Sequence, residues 1–237
     1  MRLIRYIKKN AKSVIVGSLL GLVFLVGCSD DEEPVPVVSD VSYVSLYHGS
    51  PDAEGLDIVL NGSGQINALP FEYEDYSNYL NFYSGNRNLL LLDANNEFIT
   101  VLDTILNFDV DEVYSLFIAD SLKSIEVIQV KDSFPNIANG QTMIRIAHLS
   151  PDAPTVNISV DGDEVLSDVS FQDISDFLSV DGGRRTVEVS DAATDEVILT
   201  IPNLELLDQE YYTIIVNGFV NPPTGNEHDI ESDVIKL

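Results

Sequence analysis

The sequence VSLYHGSPDA at residues 44–53 returns as IRIAHLSPDA at residues 144–153. The similarity continues at the same or nearly the same offset through the rest of both halves. Self-similarity at a fixed period marks a repeated structural unit. The sequence therefore predicts two copies of one domain, in residues 41–137 and residues 141–237.

Apolar and polar residues alternate with a period of two in both copies, as in half-buried strands. Val44, Leu46 and His48 share one face of the first strand on this pattern. The pairs Asn61-Gly62 and Asp161-Gly162 suit the positive φ angles of a type I′ hairpin. Further strands are predicted at residues 87–92, 98–102, 113–119 and 124–130, with counterparts at 185–190, 197–201, 211–217 and 230–236.

The pattern leaves little room for helices, because no long stretch has apolar residues spaced at 3.6. Several short strands in a unit of this length are typical of a sandwich. We therefore predict an all-β protein with two tandem immunoglobulin-like β-sandwich domains of about seven strands each. A larger, fused β structure is the alternative.

The beginning of the chain has the pattern of an export signal. Residues 1–12 contain five basic residues and no acid, and residues 13–27 are all apolar or small. This run is short for a transmembrane helix, which needs roughly 20 apolar residues. The pattern predicts a signal peptide at residues 1–27, and an uncleaved signal anchor is the alternative.

The signal ends at Leu25-Val26-Gly27-Cys28, which resembles the lipobox of bacterial lipoproteins. The resemblance implies that a diacylglycerol is attached to the Cys28 thiol and that cleavage makes Cys28 the new N-terminus. Cys28 is the only cysteine in the chain. The domains are thus expected to fold without disulfides and to contain neither a cysteine nucleophile nor a thiolate metal site.

Residues 28–40 combine the acylated cysteine with clustered acids and two prolines. This composition predicts an extended, flexible tether. A serine and acids directly behind the cysteine also resemble the signal that sends some lipoproteins to the outer face of the outer membrane. We therefore predict an outer-membrane lipoprotein facing the extracellular side, with the lipid as its membrane contact. A merely solvated charge run is the alternative.

The charge of the chain excludes several classes of partner. The formal net charge is −27 at pH 7, and five of the twelve basic residues fall within the signal. Nucleic acid and anionic lipid surfaces are repelled by such a chain. The hydrophobic fraction of 45% is too high for a disordered acidic tail. We expect folded domains with an acidic surface.

The second copy carries the motif His148-Leu149-Ser150-Pro151-Asp152-Ala153-Pro154, followed by a strand and a turn at residues 156–162. This stretch resembles a bacterial family known only as domain of unknown function 4397. The first copy departs from the pattern at Gly49 and Glu54. The resemblance implies a β-sandwich outside the cytoplasm and transfers no activity.

The shared motif could be mistaken for a hydrolytic triad. It contains His48, Ser50 and Asp52 around Pro51 in the first copy, and His148, Ser150 and Asp152 around Pro151 in the second. Triad groups normally come from separated loops and need oxyanion donors beside them. We therefore predict a structural motif, in which proline sets φ, the histidine closes a strand, and serine and aspartate bond the amides of the turn.

Three acidic turns, at residues 109–112, 161–164 and 229–233, could supply oxygen ligands to calcium. None has the spacing of an EF-hand, and the two copies do not share one cluster. The histidines at 48, 148 and 228 are too scattered to favour zinc. We predict no metal and no cofactor, with calcium as the alternative.

The two copies differ most in their aromatic residues. Tyr73 lies in a two-residue insertion of the first copy, and Tyr83 corresponds to Asp181 of the second. The shared fold does not need these tyrosines, and an exposed tyrosine offers a flat ring with a polar end. Tyr73 and Tyr83 are therefore the predicted ligand contact. The alternative is that they cover a seam between the domains.

Together these patterns favour a non-enzymatic, lipid-anchored surface protein that binds an extracellular ligand or a neighbouring envelope protein. An accessory or catalytic protein of polysaccharide processing is one alternative, and a structural spacer is another. The sequence predicts no catalytic residue.

Overall fold

Strands form all of the regular secondary structure in the computed structural model, which describes residues 40–61 and 64–237. No helix within these residues could span a membrane. The predicted signal peptide, Cys28 and the tether as far as residue 39 lie outside the described residues.

The strands follow the predicted repeat. The first repeat holds β1 (Val41–His48), β2 (Leu56–Leu60), β3 (Leu80–Tyr83), β4 (Gly85–Asp93), β5 (Asn96–Phe108), β6 (Val113–Ala119) and β7 (Glu126–Lys131). The second repeat holds β8 (Gln141–His148), β9 (Val156–Val160), β10 (Asp163–Val169), β11 (Leu178–Asp181), β12 (Gly183–Asp191), β13 (Val197–Leu206), β14 (Tyr211–Asn217) and β15 (Glu231–Lys236).

The first repeat is a sandwich of two sheets, with strand orders β3-β1-β6-β7 and β2-β4-β5. Neighbouring strands are antiparallel except β1 and β6, which run parallel with His48 opposite Ile118. Leu46 and Leu91 come from opposite sheets and are buried in the core between them. The alternation of apolar residues thus places one face of each sheet against the other, as predicted.

The second repeat has the same plan, with strand orders β11-β8-β14-β15 and β10-β9-β12-β13. Its additional strand, β10, follows a hairpin at Asp161-Gly162, where the φ angles are +52° and +89°. In the first repeat the side chain of Asn67 occupies part of this edge, since it donates to Leu56 O and accepts from Ile58 N. The all-β, two-sandwich prediction is confirmed.

The central strands are buried on both faces, which the alternating pattern does not predict. In β6, β8 and β14 every residue after the first is buried. The second faces of these strands, with Tyr47 of β1, form a third apolar cluster. The cluster joins the sheet β3-β1-β6-β7 to the sheet β11-β8-β14-β15 and contains Tyr47, Phe117, Ala119, Ala147, Leu149, Ile215 and Ile235.

Packing between the repeats explains one departure of the first copy from the motif. Gly49 stands where the second copy has Leu149, and a Cβ on Gly49 would lie 2.6 Å from Leu149 Cδ1. Leu149 is fully buried and has little space to withdraw. The first motif therefore has glycine because the leucine of the second motif fills that space.

A buried ion pair also links the repeats. Arg145 Nη1 of β8 donates to Asp132 Oδ1, just after β7, at 2.5 Å, and both side chains are almost fully excluded from solvent. The guanidinium also donates to Thr213 Oγ1 at 2.8 Å and to Ser115 Oγ at 2.7 Å. The second Asp132 oxygen accepts from Tyr79 Oη at 2.7 Å. Side chains from both repeats thus complete one polar network.

Candidate functional site

The two histidine motifs lie at the ends of β1 and β8, and both imidazoles are fully buried. His148 Nε2 lies 3.0 Å from Pro154 O, and Ser150 Oγ donates to Gly218 O at 2.7 Å. Asp152 accepts from the amides of Val220 and Asn221. In the second motif these bonds pair each group with backbone and form no serine–histidine–aspartate relay.

The aspartates bond a different loop from the one the sequence predicts. Asp52 Oδ1 accepts from Leu122 N at 2.7 Å, and Leu122 lies beyond β6, the parallel partner of β1. Asp152 likewise reaches the loop beyond β14, the parallel partner of β8. The carboxylates therefore connect neighbouring loops, whereas the sequence predicts bonds within their own turn.

Burial of the histidines makes stability depend on pH. Burial lowers the pKa of His48 to about 4, against an opposing effect of Asp75, and it also lowers the pKa of His148. Because the unfolded chain binds protons first, the free energy of unfolding should fall as the pH drops from about 6.5 to about 4. We expect His48 to contribute on the order of 1–3 kcal/mol to this loss.

Urea unfolding of the wild type and of His48→Gln at pH 7.5 and pH 4.5 measures this contribution. Glutamine does not titrate, so the stability difference between the two proteins should shrink at the lower pH. A constant difference at both pH values would contradict a neutral, buried His48.

A cleft of about 760 Å³ opens beyond the first histidine motif. One wall comes from three loops of the first repeat and the other from residues 223–228 of the second. Asn226 Nδ2 donates to Pro51 O at 2.7 Å and fastens the two walls together. The cleft is lined by Pro51, Asp52, Ala53, Glu54, Gly55, Pro70, Glu72, Tyr73, Glu74, Ala94, Asn95, Pro223, Thr224, Gly225, Asn226 and His228.

The lining of the cleft is acidic and contains neither lysine nor arginine. Asn95 Nδ2 donates to Glu54 Oε2 at 2.5 Å, and Asn217 Nδ2 donates to Glu74 Oε1 at 3.1 Å. Burial raises the pKa of Glu74, although the bond from Asn217 opposes this shift. The cleft thus offers carboxylates held in place by amide donors.

Two of the lining residues form an aromatic pair across the repeats. The rings of Tyr73 and His228 lie 4.4 Å apart between centroids, and Tyr73 also meets the edge of His48 at 6.4 Å. Burial raises the pKa of the Tyr73 hydroxyl. Tyr73 therefore lines the cleft and also packs between the two repeats.

The structure separates the two tyrosines that the sequence predicts to act together. Tyr83 is 69% exposed, and its ring lies 6.0 Å from the Arg87 guanidinium. In the sheet Tyr83 is opposite Val41, at the start of β1, whereas the cleft lies beyond the end of β1. Tyr73 belongs to the cleft and Tyr83 to a separate exposed edge.

A second groove, of about 420 Å³, adjoins the cleft. Asp52, Glu54 and Gly55 line both spaces. The rest of the groove is mostly aliphatic, and its other lining residues are Leu56, Asp93, Ile99, Thr100, Val101 and Leu122.

Aspartates of two of the three acidic turns interact with neighbouring protein groups. Asp161 accepts from Arg185 Nη1 at 3.0 Å and from Thr186 N at 2.8 Å. Lys131 lies 3.4 Å from Asp109. In residues 40–61 and 64–237, no group of three or more histidine, cysteine or acidic residues is arranged to hold a metal ion.

The family model described as Domain of unknown function (DUF4397) matches residues 42–159 and residues 142–227. The chain belongs to the DUF4397 family. The two matches begin 100 residues apart, at the offset of the repeated motif. The second DUF4397 repeat has a longer loop after its parallel strand, because residues 218–230 join β14 to β15 whereas the shorter segment 120–125 joins β6 to β7.

Similar solved structures share little sequence with this DUF4397 chain. A family 26 carbohydrate-binding module of Amy13K from Eubacterium rectale, solved with maltoheptaose, is 10% identical, with 82% of this chain and 97% of that chain covered and a TM-score of 0.27. A candidate cell adhesion protein from Bacteroides uniformis is 9% identical, with 83% and 99% covered and a TM-score of 0.25. Likenesses at this level assign no function, and no curated protein matches the chain.

The longer loop of the second DUF4397 repeat contains His228. The sequence pattern gave His228 no role, because the three histidines are too scattered along the chain to favour a zinc site. The insertion in the first repeat supplies Tyr73. Both walls of the cleft therefore contain residues that one repeat has and the other lacks. A comparison of loop lengths between the two copies would have located the wall formed by residues 223–228 from the sequence.

Proposed function

We propose that the protein is a non-enzymatic surface lipoprotein that binds an extracellular ligand or a neighbouring envelope protein in the cleft between its repeats. The observation that carries the proposal is that both walls of the cleft contain insertions relative to the other copy. Each repeat has the shared sandwich but contains only one of the two insertions, so the sandwich itself does not need them.

The chemistry of the cleft favours binding over catalysis. Three of its four carboxylates accept hydrogen bonds from side-chain or backbone amides. A concave space with a few fixed polar groups is the usual form of a ligand site.

The position of the cleft also suits a lipid-anchored protein. Asp40 precedes β1, and the cleft lies beyond the other end of this strand. An eight-residue strand is roughly 26 Å long at about 3.3 Å per residue. The chain that follows Cys28 therefore enters β1 at the end opposite the cleft.

Protease treatment of intact cells tests whether the protein is located on the cell surface. We expect the protein to be cut in intact cells and a Cys28→Ser variant to be released from the membrane fraction. Cleavage that requires a breached outer membrane would overturn the outward orientation, and unchanged membrane retention of Cys28→Ser would overturn the lipid anchor.

A cleft-filling variant tests binding. Thr224 is exposed on the cleft wall, and an arginine there would extend toward carboxylates of the opposite wall. We expect Thr224→Arg to weaken capture of glycans or envelope components by residues 39–237 at least tenfold. Thr194→Arg, on an exposed turn of the second repeat, is the matched control.

Screens of the wild type and these two variants on glycan arrays and solubilised envelope provide the measurement. Tyr83→Ala, measured in parallel, shows whether the separate exposed tyrosine contributes. Equal capture by Thr224→Arg and Thr194→Arg would show that the cleft is not the binding site.

A further inference from the structure

Strand β5 is an open edge of the sheet β2-β4-β5. It pairs with β4 on one side and has no strand on its other side among the described residues. From Ile99 to Ile105 this edge offers backbone groups that another extended chain can bond. The opposite edge of this sheet is partly covered, because Gln65 bridges to Val59.

The second repeat protects the equivalent edge. Its strand β13 contains Pro202, followed by Asn203 with φ at +56°, and the ladder to β12 shifts register there. Proline on an edge strand removes a donor and opposes pairing. Between the partners of Arg87 and Leu89 strand β5 has only Ile105, where β13 has Pro202 and Asn203, so the first repeat lacks this protection.

Aliphatic side chains lie along the unprotected edge. Ile99 is 48% exposed and Ile105 is 70% exposed. The groove of about 420 Å³ lies beside Ile99 and is also lined by Leu56, Val101 and Leu122. An added strand would therefore place alternate side chains against an apolar surface.

The negative charge around the groove determines which kind of segment can pair with β5. The groove opens into the cleft at Asp52 and Glu54, and neither space is lined by a lysine or an arginine. The whole chain carries a formal net charge of −27. This charge repels a second copy and attracts a basic segment.

We propose that the open edge of β5 binds an extended segment of a partner protein in which aliphatic residues alternate with lysine or arginine. The segment adds a strand beside Ile99 to Ile105 and directs alternate aliphatic side chains into the groove, and the net negative charge around the groove attracts its basic residues. The inference rests on the proposed binding function and specifies the class of its partner.

The two repeats supply a matched pair of variants for the test. Ile99 and Val197 lie near the beginning of the equivalent edge strands β5 and β13, and both are 48% exposed. The probe is a capped decapeptide of alternating valine and lysine, with a valine–glutamate decapeptide as its acidic counterpart. Kd is measured by fluorescence anisotropy on residues 39–237.

We expect the basic peptide to bind the wild type, Ile99→Lys to weaken it at least tenfold, and Val197→Lys to change it less than twofold. The acidic peptide should not bind. Amide hydrogen exchange should slow in residues 99–105 when the basic peptide is added, because strand pairing protects those amides.

Four results would overturn the proposal. Equal binding to Ile99→Lys and Val197→Lys would indicate general attraction to the acidic surface. Binding of the acidic peptide as tightly as the basic one would remove the charge argument. A concentration-dependent dimer in sedimentation that Ile99→Lys abolishes would assign the edge to a second copy. Ligand capture that depends on Thr224 but not on Ile99 would leave the proposed function intact while rejecting this edge.

Discussion

Replacing Arg145 by alanine is expected to lower the free energy of unfolding by about 3–5 kcal/mol, because removal of one member of a buried ion pair leaves the other charge without compensation. The charge left behind is Asp132, whose side chain is fully buried. Asp132 would keep its bonds from Tyr79 and Ser115, but neither hydroxyl carries a positive charge.

The packing of Arg145 adds to this loss. The guanidinium carbon lies 4.9 Å from the centroid of the Phe177 ring and 5.6 Å from that of Phe117. Alanine would leave a space between these rings and would remove the donors to Thr213 and Ser115. The expected effect is therefore at the upper end of the range for single substitutions.

Urea unfolding followed by circular dichroism measures the effect. Arg185→Ala is the control, since the Arg185–Asp161 pair is partly exposed and such pairs contribute about 0–1 kcal/mol. The double variant Arg145→Met with Asp132→Leu should recover much of the lost stability, because an apolar pair of similar volume avoids the desolvation of both charges. A loss below about 1 kcal/mol for Arg145→Ala would contradict the role of the buried pair.

The sequence predicted the parts of the fold that each repeat determines by itself. Alternation located the strands, and Asp161-Gly162 forms the predicted hairpin because both residues accept positive φ. Packing between the repeats could not be predicted in this way. Tyr47 stands on the face that alternation assigns to solvent, yet the second repeat covers it.

The same limit applies to the candidate site. Tyr73 was located because it lies in an insertion, and the structure places it in the cleft. Tyr83 was predicted because the second copy has Asp181 at this position, but it lies at the other end of β1. Because insertion and exposure do not encode distance, the sequence could not separate these two tyrosines or bring His228 to Tyr73.

Separated repeats are expected to lose most of their stability. Residues 41–137 alone would expose Phe117, and residues 138–237 alone would expose Leu149 and Ile215. Burial of each such side chain contributes roughly 1.5–3 kcal/mol. A domain of this size is usually stable by only about 5–15 kcal/mol, so the loss of several such contacts and of the ion pair removes most of it.

The intact chain should accordingly unfold in one cooperative transition, whereas each isolated repeat should aggregate or melt at a much lower temperature. A protease site inserted at the exposed residues 138–139 permits the matched measurement, because cutting there leaves both repeats complete. We expect the cut halves to stay associated in gel filtration and to separate when Arg145→Ala is added. Isolated repeats that each melt sharply at the temperature of the intact chain would show that the contact between the central sheets contributes little to stability.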